Sequence, residues 1–575
     1  MISVFQKIKV GITTGGLRSG RLRRAVVVLF LGALEMACNE NYRPVVEPLL
    51  PPPPNPGALH YVISVTANGS DTQVGGSCSP SGLLPPCQAN PGSASRIDVS
   101  GDTYSGVFNT GMGPVHAALT PNGNKLYVAN FLEDTVSVNF VGSPTLVGTL
   151  SLPAGSQPVF LNSTENGNMY VANYGNGTVS AINATSDVVT GTVAVGNQPV
   201  ALAEMPNAQK LYVANQGSGS VTSINIAGFS VAKTIPVGST PVWAVARPDN
   251  AKIYLLDNSG TIYEIDTLTD AVTGTSTSAG AGSNFMAYDP VVQRLYVTNP
   301  SNGTVAILST ATDPNPPTVL NVINLALGPN APCPTLCSPA SVTGIGDGSR
   351  AYVASYQLAT CTSPLLVPFP CVNTQVEVIN TGSNRVSKVI PISTGVPVDM
   401  TNAADCGPQT GPVSAAPWTP GYARFRAFVA ASGGGTTSNF KVYVAQCDAG
   451  SIAVIDTFAD NLATPPHAAD VFTASLSAPL SSFPPIQVSI SGATFSSGAT
   501  TYNYTPPPSG PGLQVGMSVF ITGMLDSGNN GDFVVSSLGA GSFTAANPAG
   551  VTASGQNGSG SVLPPQNPIF VVTGP

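Results

Sequence analysis

The hexapeptide Lys125-Leu-Tyr-Val-Ala-Asn130 recurs along this chain at a nearly constant spacing. Clear copies begin at Asn168, Lys210, Lys252 and Arg294, so that successive tyrosines lie 43, 42, 42 and 42 residues apart. Looser copies begin at Arg350 and Lys441, and His60-Tyr-Val-Ile63 starts the series, which makes eight copies. Each copy is rich in aliphatic, aromatic and β-branched residues, as buried strands are. A period of this length indicates a repeat architecture.

Each copy belongs to a longer phrase that is clearest between Pro199 and Gly238. A strand led by Pro199 ends at Pro206, a polar turn leads into the Tyr212 strand, and a Gly217-Ser-Gly219 hairpin precedes two further short strands. Four short antiparallel strands about every 42 residues are typical of a propeller blade. The sequence therefore predicts an all-β protein, a β-propeller of four-stranded blades, with eight blades by count and seven as the alternative.

One copy, Tyr296-Val-Thr-Asn299, spells the motif of a known family. On this motif, its period and its turns, residues 57–475 resemble the YVTN-type bacterial β-propellers. The resemblance implies a ring-shaped, exported and often cell-surface protein, usually with seven blades and usually without assigned catalysis.

The end of the chain repeats the spacing of an inner strand. Pro568 and Pro575 are separated as Pro114 and Pro121 are, and as two other such proline pairs are. Because an open propeller would leave an unpaired sheet edge, we expect this segment to supply the missing inner strand of the first blade. Residues 485–562 break the repeat and predict a small accessory β module. The predicted domains are the propeller at 57–484, this module, and the closing strand at 563–575.

The first residues predict export. Six of the twenty basic residues lie within the first 24 positions, and the uncharged stretch at 25–34 is too short to span a bilayer, so residues 1–37 are interpreted as a signal peptide. Ala37-Cys38-Asn39 resembles the cleavage site of bacterial lipoproteins, which implies lipidation of Cys38. Glu35 departs from that pattern, and a plain secretory signal is the alternative. Residues 38–56 are interpreted as a proline-rich tether, and we expect an outer-membrane-anchored, cell-surface or periplasmic protein.

Composition excludes several classes of protein. Charged residues make up 8% of the chain and the mean hydropathy is +0.20, which argues against intrinsic disorder. The 61 glycines and 53 prolines follow no collagen period and favour turn-dense β structure. After residue 37 the chain holds 14 basic and 27 acidic residues, so we expect no nucleic-acid partner.

Apart from Cys38 the chain has eight cysteines, and an even number is expected for disulfides in an exported chain. Proximity in sequence favours four pairs, Cys78–Cys87, Cys333–Cys337, Cys361–Cys371 and Cys406–Cys447, although 105 connectivities are possible. A metal site at Cys333 and Cys337 lacks a nearby histidine, and we expect no metal and no cofactor.

The long insertions share one side of the predicted ring, here named the decorated face. It carries the hairpins between second and third strands and the connections between blades, and it includes residues 65–95, 330–339, 357–373 and 394–423. The predicted module, inserted before the closing strand, is expected to project from it as well. The opposite side, named the turn face, is expected to keep tight turns. Because disulfides hold these loops, we predict that the decorated face binds a partner; structural bracing of tolerated loops is the alternative. Its densest charges, Asp405, Arg424, Arg426 and Asp448, are the candidate binding residues, with a supporting salt bridge as the alternative.

Candidate catalytic residues are scarce. The three histidines, His60, His116 and His467, are widely separated, and His116 is interpreted as a packed ring in a blade wall. Aromatic residues at the same inner-strand position are interpreted as core, with a stacking site at the channel mouth as the alternative, namely Phe160, Trp243, Phe285 and Phe570. The favoured function is a monomeric, non-enzymatic scaffold that binds an envelope or extracellular protein or glycan and meets the membrane only through a lipid anchor. The alternative is an exported propeller enzyme, a lactonase-like hydrolase or a quinone-dependent dehydrogenase.

Overall fold

A computed structural model describes residues 61–573, with gaps. The residues left out within that range are 67–90, 100–102, 143–144, 164–166, 239, 279, 312–315, 326–336, 363–367, 398–405, 407–425, 433–440, 458–485, 506–512, 514–517, 548 and 563–567. The predicted signal peptide, Cys38 and the tether therefore lie outside the described residues.

Eight antiparallel sheets follow one another along the described chain, and each is one blade. Blade one contains β1 (Tyr61–Thr66), β2 (Pro91–Asp98) and β3 (Thr103–Met112), and blade two contains β4 (Pro114–Leu119), β5 (Lys125–Asn130), β6 (Thr135–Phe140) and β7 (Thr145–Ser151). Blade three contains β8 (Pro158–Ser163), β9 (Asn168–Asn173), β10 (Thr178–Asn183) and β11 (Val188–Ala194), and blade four contains β12 (Pro199–Glu204), β13 (Lys210–Asn215), β14 (Ser220–Asn225) and β15 (Ser230–Pro236). Blade five contains β16 (Pro241–Ala246), β17 (Lys252–Asp257), β18 (Thr261–Asp266) and β19 (Ala271–Thr277), and blade six contains β20 (Phe285–Asp289), β21 (Arg294–Asn299), β22 (Thr304–Ser309) and β23 (Thr318–Asn324).

The last two blades are less regular. Blade seven contains β24 (Ser338–Gly344), β25 (Arg350–Thr362), β26 (Pro368–Asn380) and β27 (Arg385–Pro397). Blade eight has three described strands, β28 (Ala427–Ser432), β29 (Lys441–Gln446) and β30 (Ser451–Asp456). A short 3-10 helix, Ile226–Gly228, forms the turn between β14 and β15.

The predicted module is a closed six-stranded barrel. Its strands are β31 (Ile486–Ser496), β32 (Ala499–Thr505), β33 (Ser518–Thr522), β34 (Gly531–Gly539), β35 (Ser542–Ala546) and β36 (Ala553–Val562), with a 3-10 helix at Ser527–Asn529. Tyr502 stacks on Phe543 in the barrel core, with ring centroids 5.1 Å apart. The glycine-punctuated pattern predicted strands here, whereas closure of the barrel is seen only in the structure.

The final strand, β37 (Pro568–Thr573), belongs to blade one. It pairs antiparallel with β1 as the innermost strand, with Val65 opposite Phe570. It also contacts both β28 and β4, so the eight inner strands follow one another in a closed cycle. On the neighbouring edge, Lys441 Nζ of blade eight donates to the Val99 carbonyl of blade one over 2.8 Å. The ring is therefore an eight-bladed propeller, and the seven-blade alternative is wrong for this chain.

The second strand of each blade is buried between neighbouring blades, which explains why the hexapeptide is almost continuously hydrophobic. In β5, β9 and β13 the five residues after the first are all buried, because the second strand of each blade packs against a neighbouring blade on both faces. The outer strand β11 instead alternates exposed and partly buried residues, as expected where one face meets solvent.

The first residue and the tyrosine of the hexapeptide join neighbouring blades. Lys125 Nζ donates to the Ala184 carbonyl over 2.9 Å and pairs with Asp187 at 2.7 Å, and the Tyr127 hydroxyl donates to the same carboxylate. Lys210 and Tyr212 reach Asp270 of blade five in the same way. In blades two and four the basic residue and the tyrosine are thus inter-blade contacts on the turn face, whereas Lys252 pairs with Glu264 of its own blade at 3.0 Å.

The terminal asparagine of the hexapeptide holds the hairpin that follows it. Asn173 Nδ2 donates to the hydroxyls of Thr178 and Ser180 over 2.9 and 2.8 Å, and Asn130 and Asn215 make equivalent bonds in blades two and four. Because the same bonds recur in three blades, these three asparagines have a structural role.

Candidate functional site

Blade seven carries a projection on the decorated face. Its strands β25, β26 and β27 each contain 13 residues, about twice the usual length, and remain paired as far as Thr362 and Pro368. Cys361 and Cys371 form a disulfide across this extension, with Cα atoms 5.8 Å apart. The prediction of a loop at 357–373 was therefore wrong, because most of that segment is strand.

A small hydrophobic cluster packs at the base of the projection. Tyr356, Val372 and Ala340 are buried there, and Leu358 and Val396 pack against them. The strands of this hairpin are paired, a disulfide links them, and a small hydrophobic cluster packs beneath them. Such a hairpin loses little conformational freedom when it binds a partner. This combination gives the projection a rigid, preformed shape.

A second disulfide lies beside blade eight. Cys406 and Cys447 are bonded with Cα atoms 5.5 Å apart, and the amide of Cys447 donates to the carbonyl of Arg426 over 3.0 Å. Cys337 is also disulfide-bonded, although Cys333 lies outside the described residues, as do Cys78 and Cys87. Disulfides of this number indicate an oxidising environment.

Two of the four candidate binding residues form a closed ion pair. Arg426 Nη1 donates to both carboxylate oxygens of Asp448 over 2.7 Å, and each side chain is 1% exposed. The Arg426 guanidinium also lies 5.6 Å from the centre of the Tyr356 ring. Because the pair faces protein on all sides, its charges support the fold beneath the projection. Asp405 and Arg424 lie outside the described residues.

A buried carboxyl group lies between the strands of blade seven. Glu377 Oε1 accepts hydrogen bonds from Ser355 Oγ over 2.7 Å and from Gln375 Nε2, which also donates to Cys337 Sγ over 3.1 Å. Its Oε2 has no hydrogen-bond partner among the described residues. Burial raises the pKa of Glu377 to about 7, because the carboxylate form would be poorly solvated there.

Replacing this carboxyl group should change how stability depends on pH. The unfolded chain releases the Glu377 proton near pH 4.5 and the folded chain near pH 7, so the free energy of unfolding should fall as pH rises between these values. Above pH 7 the buried Glu377 carboxylate lowers the free energy of unfolding by about 3 kcal/mol relative to low pH. We expect Glu377→Gln to lose this decline and to be more stable than the wild type at pH 8, measured by urea unfolding at pH 5, 6.5 and 8. Glu133→Gln, in an ordinary turn, serves as the control, and equal pH slopes for wild type and Glu377→Gln would contradict the assignment.

The central channel is filled by six aromatic rings from six inner strands. They contact one another in a closed cycle with centroids 4.1 to 5.9 Å apart: His116, Phe160, Trp243, Phe285, Phe428 and Phe570. This cluster is named the aromatic plug. Blades four and seven contribute the small residues Ala201 and Ser341 at the same position.

His116 belongs to this plug and not to a blade wall, which corrects the interpretation from sequence. Its ring stacks on Phe160 with centroids 4.1 Å apart, and its Nδ1 accepts a hydrogen bond from the Leu161 amide over 3.2 Å. Burial lowers the pKa of His116 to about 3, so the ring is neutral at physiological pH. Four of the plug residues were predicted as core, and Phe428 was not among them.

A cavity of about 500 Å³ lies on the turn-face side of the plug. Phe285, Phe428 and Phe570 line its inner end, and its walls are the ends of inner strands from blades two, three, seven, eight and one. Two residues beyond each plug position, a small neutral side chain occurs on the channel side, including Ala118, Asn162, Thr343, Ala430 and Val572. This space is named the cup. It opens on the turn face, whereas the sequence predicted binding on the decorated face.

Two charged residues near the ends of inner strands have local partners. Glu204 accepts a hydrogen bond from Asn162 Nδ2 over 3.3 Å, and Arg247 pairs with Asp249 at 2.7 Å. Across the described ranges, no three His, Cys, Asp or Glu side chains are grouped closely enough to hold a metal ion. Within the same ranges no helix combines the length and hydropathy needed to cross a membrane.

Comparisons with known proteins add little beyond the topology. No family model and no curated protein matches the chain. Similar solved structures include hydrazine synthase from Kuenenia stuttgartiensis, 18% identical, covering 60% of this chain and 76% of that one with a TM-score of 0.37. The β-propeller domain of Cps50 (Swd1) from Myceliophteria thermophila is 10% identical, covering 48% and 86% with a TM-score of 0.38. The dihydro-heme d1 dehydrogenase NirN in complex with DHE is 12% identical, covering 69% and 70% with a TM-score of 0.47. The fold assignment rests on the strand pairing described above.

Proposed function

We propose that this protein is an exported, YVTN-type propeller that acts as a non-enzymatic binding scaffold in the cell envelope. In this proposal Cys38 carries the lipid anchor, and the decorated face binds an envelope or extracellular protein or glycan. The observation that carries the proposal is the blade-seven projection, which is paired, disulfide-bonded and backed by its own small core. Rigid scaffolds commonly present binding surfaces in this form.

The distribution of elaborations supports a defined binding sector. Described blades two to six are joined by short turns, whereas the long strands and both described disulfides occur in blades seven and eight and the chain joining them. Among the described residues this bracing is concentrated in one part of the ring, and Cys78 and Cys87 of blade one lie outside them. Concentrated bracing is expected where a surface must keep its shape against a partner.

Removing the tip of the projection tests this function. Residues 360–370 are replaced by Asn-Gly, a two-residue turn that suits the opposed pair Ala359 and Cys371, and Cys371→Ser avoids a free thiol. The matched control replaces the turn Ile226–Gly228 on the turn face. We expect the affinity of the trimmed protein for a purified envelope fraction to fall at least about tenfold. The control variant should bind like the wild type.

Thermal unfolding of both variants shows whether the ring is intact. Undiminished envelope binding by a folded, trimmed protein would contradict the proposal. Turnover of a lactone or of a quinone-coupled alcohol by the trimmed protein would instead favour the enzyme alternative.

A further inference from the structure

The cup on the turn face has the chemistry of a small-molecule site. Three phenylalanine rings of the plug, Phe285, Phe428 and Phe570, are each 6 to 8% exposed and line its inner end. Aromatic rings at the bottom of a concavity offer an apolar surface to a ligand, and a cavity of about 500 Å³ lies within the usual range for ligand pockets.

The walls of the cup are neutral and bear a few polar groups. None of the described residues that line it is charged. Hydroxyl and amide side chains occur near the rim, at Thr120, Asn162, Ser163, Thr343 and Thr573. A charged ligand would lose hydration without gaining a partner of opposite charge, which is strongly unfavourable. A ligand with an apolar face and a hydroxylated edge would satisfy both the floor and the rim.

The inner strands create this arrangement by alternation. Side chains two residues apart on a strand face the same side, so each channel-facing aromatic residue is followed by another channel-facing residue. After Phe428 this residue is Ala430, after Phe570 it is Val572, and after Ser341 it is Thr343. Large rings close the channel in one layer, and small residues leave space in the next. The inner strands of the ring therefore form the cup, and the loops of the decorated face are not part of it.

We propose that the cup binds an uncharged carbohydrate ring, with the apolar face of the sugar against Phe285, Phe428 and Phe570 and its hydroxyl groups at the rim. This is a second site, separate from the decorated face, and it opens on the opposite side of the ring. Loss of envelope binding by the trimmed projection would leave it unaffected.

Two matched probes test the ligand class. Phenyl β-D-glucopyranoside is uncharged, and phenyl β-D-glucuronide has the same ring and phenyl group with an added carboxylate. Binding of each to the full-length protein is measured by titration calorimetry and by saturation-transfer NMR. We expect the glucoside to bind with a Kd of about 1 mM or tighter, and the glucuronide to bind at least about tenfold more weakly.

Filling the cup should remove this binding. Ala430→Trp places an indole in the space, and Ala311→Trp, in an exposed turn of blade six, is the control. We expect at least about a tenfold loss for Ala430→Trp and no change for Ala311→Trp. If Ala430→Trp unfolds, Thr343→Phe narrows the same space with a smaller change.

Three results would overturn the proposal: no detectable binding of the glucoside, equal binding of the two probes, or unchanged binding after the cup is filled. Saturation transfer to the phenyl group alone, with none to the sugar protons, would also overturn it, because the site would then be a simple apolar pocket.

Discussion

Deletion of residues 568–575 should prevent this chain from forming a stable monomeric ring. The deletion removes Ile569, Phe570 and Val571, which are buried, and leaves the backbone edge of β1 unpaired. Burial of one such side chain is worth about 1.5–3 kcal/mol, so the loss is comparable to the whole stability of an ordinary domain. We expect aggregation or a broad thermal transition in place of a cooperative one, measured by circular dichroism and size-exclusion chromatography.

A milder variant separates the strand from its ring contacts. Phe570→Ala keeps the backbone pairing with β1 and removes only one ring of the aromatic plug, at a cost of about 3–5 kcal/mol. The variant should therefore remain monomeric with a lower Tm. A deletion protein that stays monomeric with an unchanged Tm would show that β37 does not close the ring.

The second large effect is expected at the ion pair below the projection. Asp448→Ala leaves the Arg426 guanidinium buried without its carboxylate, and removing one partner of such a pair costs about 3–5 kcal/mol. The double variant Arg426→Met with Asp448→Leu should recover most of that loss, because neither charge is then buried. Urea unfolding of the single and double variants measures both effects.

A more exposed pair provides the control. Asp249 is 35% exposed where it pairs with Arg247, so its carboxylate is better solvated than that of Asp448 and Asp249→Ala should cost less than Asp448→Ala. An Asp448→Ala effect no larger than this would mean that Arg426 finds other compensation. It would also mean that the ion pair adds little to the stability of the fold beneath the projection.

Local patterns predicted most of the ring. The hexapeptide located the second strand of nearly every blade, because a strand packed on both faces must be hydrophobic at almost every position. The proline spacing at the end of the chain located the closing strand, since the same turn precedes most inner strands. Both signals depend on contacts that recur in each blade.

Features formed by unlike blades were harder to predict. Residues 357–373 were predicted as a loop, yet they include paired strand. At Pro368 and Pro370 β26 pairs only with β25, because β27 first pairs with β26 at Cys371. Proline is tolerated on such an edge. The cup was likewise not located, and a stacking site at the channel mouth was only an alternative. The alternation of Phe428 with Ala430 and of Phe570 with Val572 shows a cavity only when the inner strands are arranged in a cycle.

Disulfide trapping between the first and last strands tests the closed eight-bladed ring most directly. Ser64 and Val571 are opposed across β1 and β37, so S64C combined with V571C should form an intramolecular cross-link that peptide mapping by mass spectrometry identifies. S64C combined with V322C, on the outer strand of blade six, should form none. Failure of the first pair to cross-link in a folded monomer, or cross-linking only between molecules, would contradict the account.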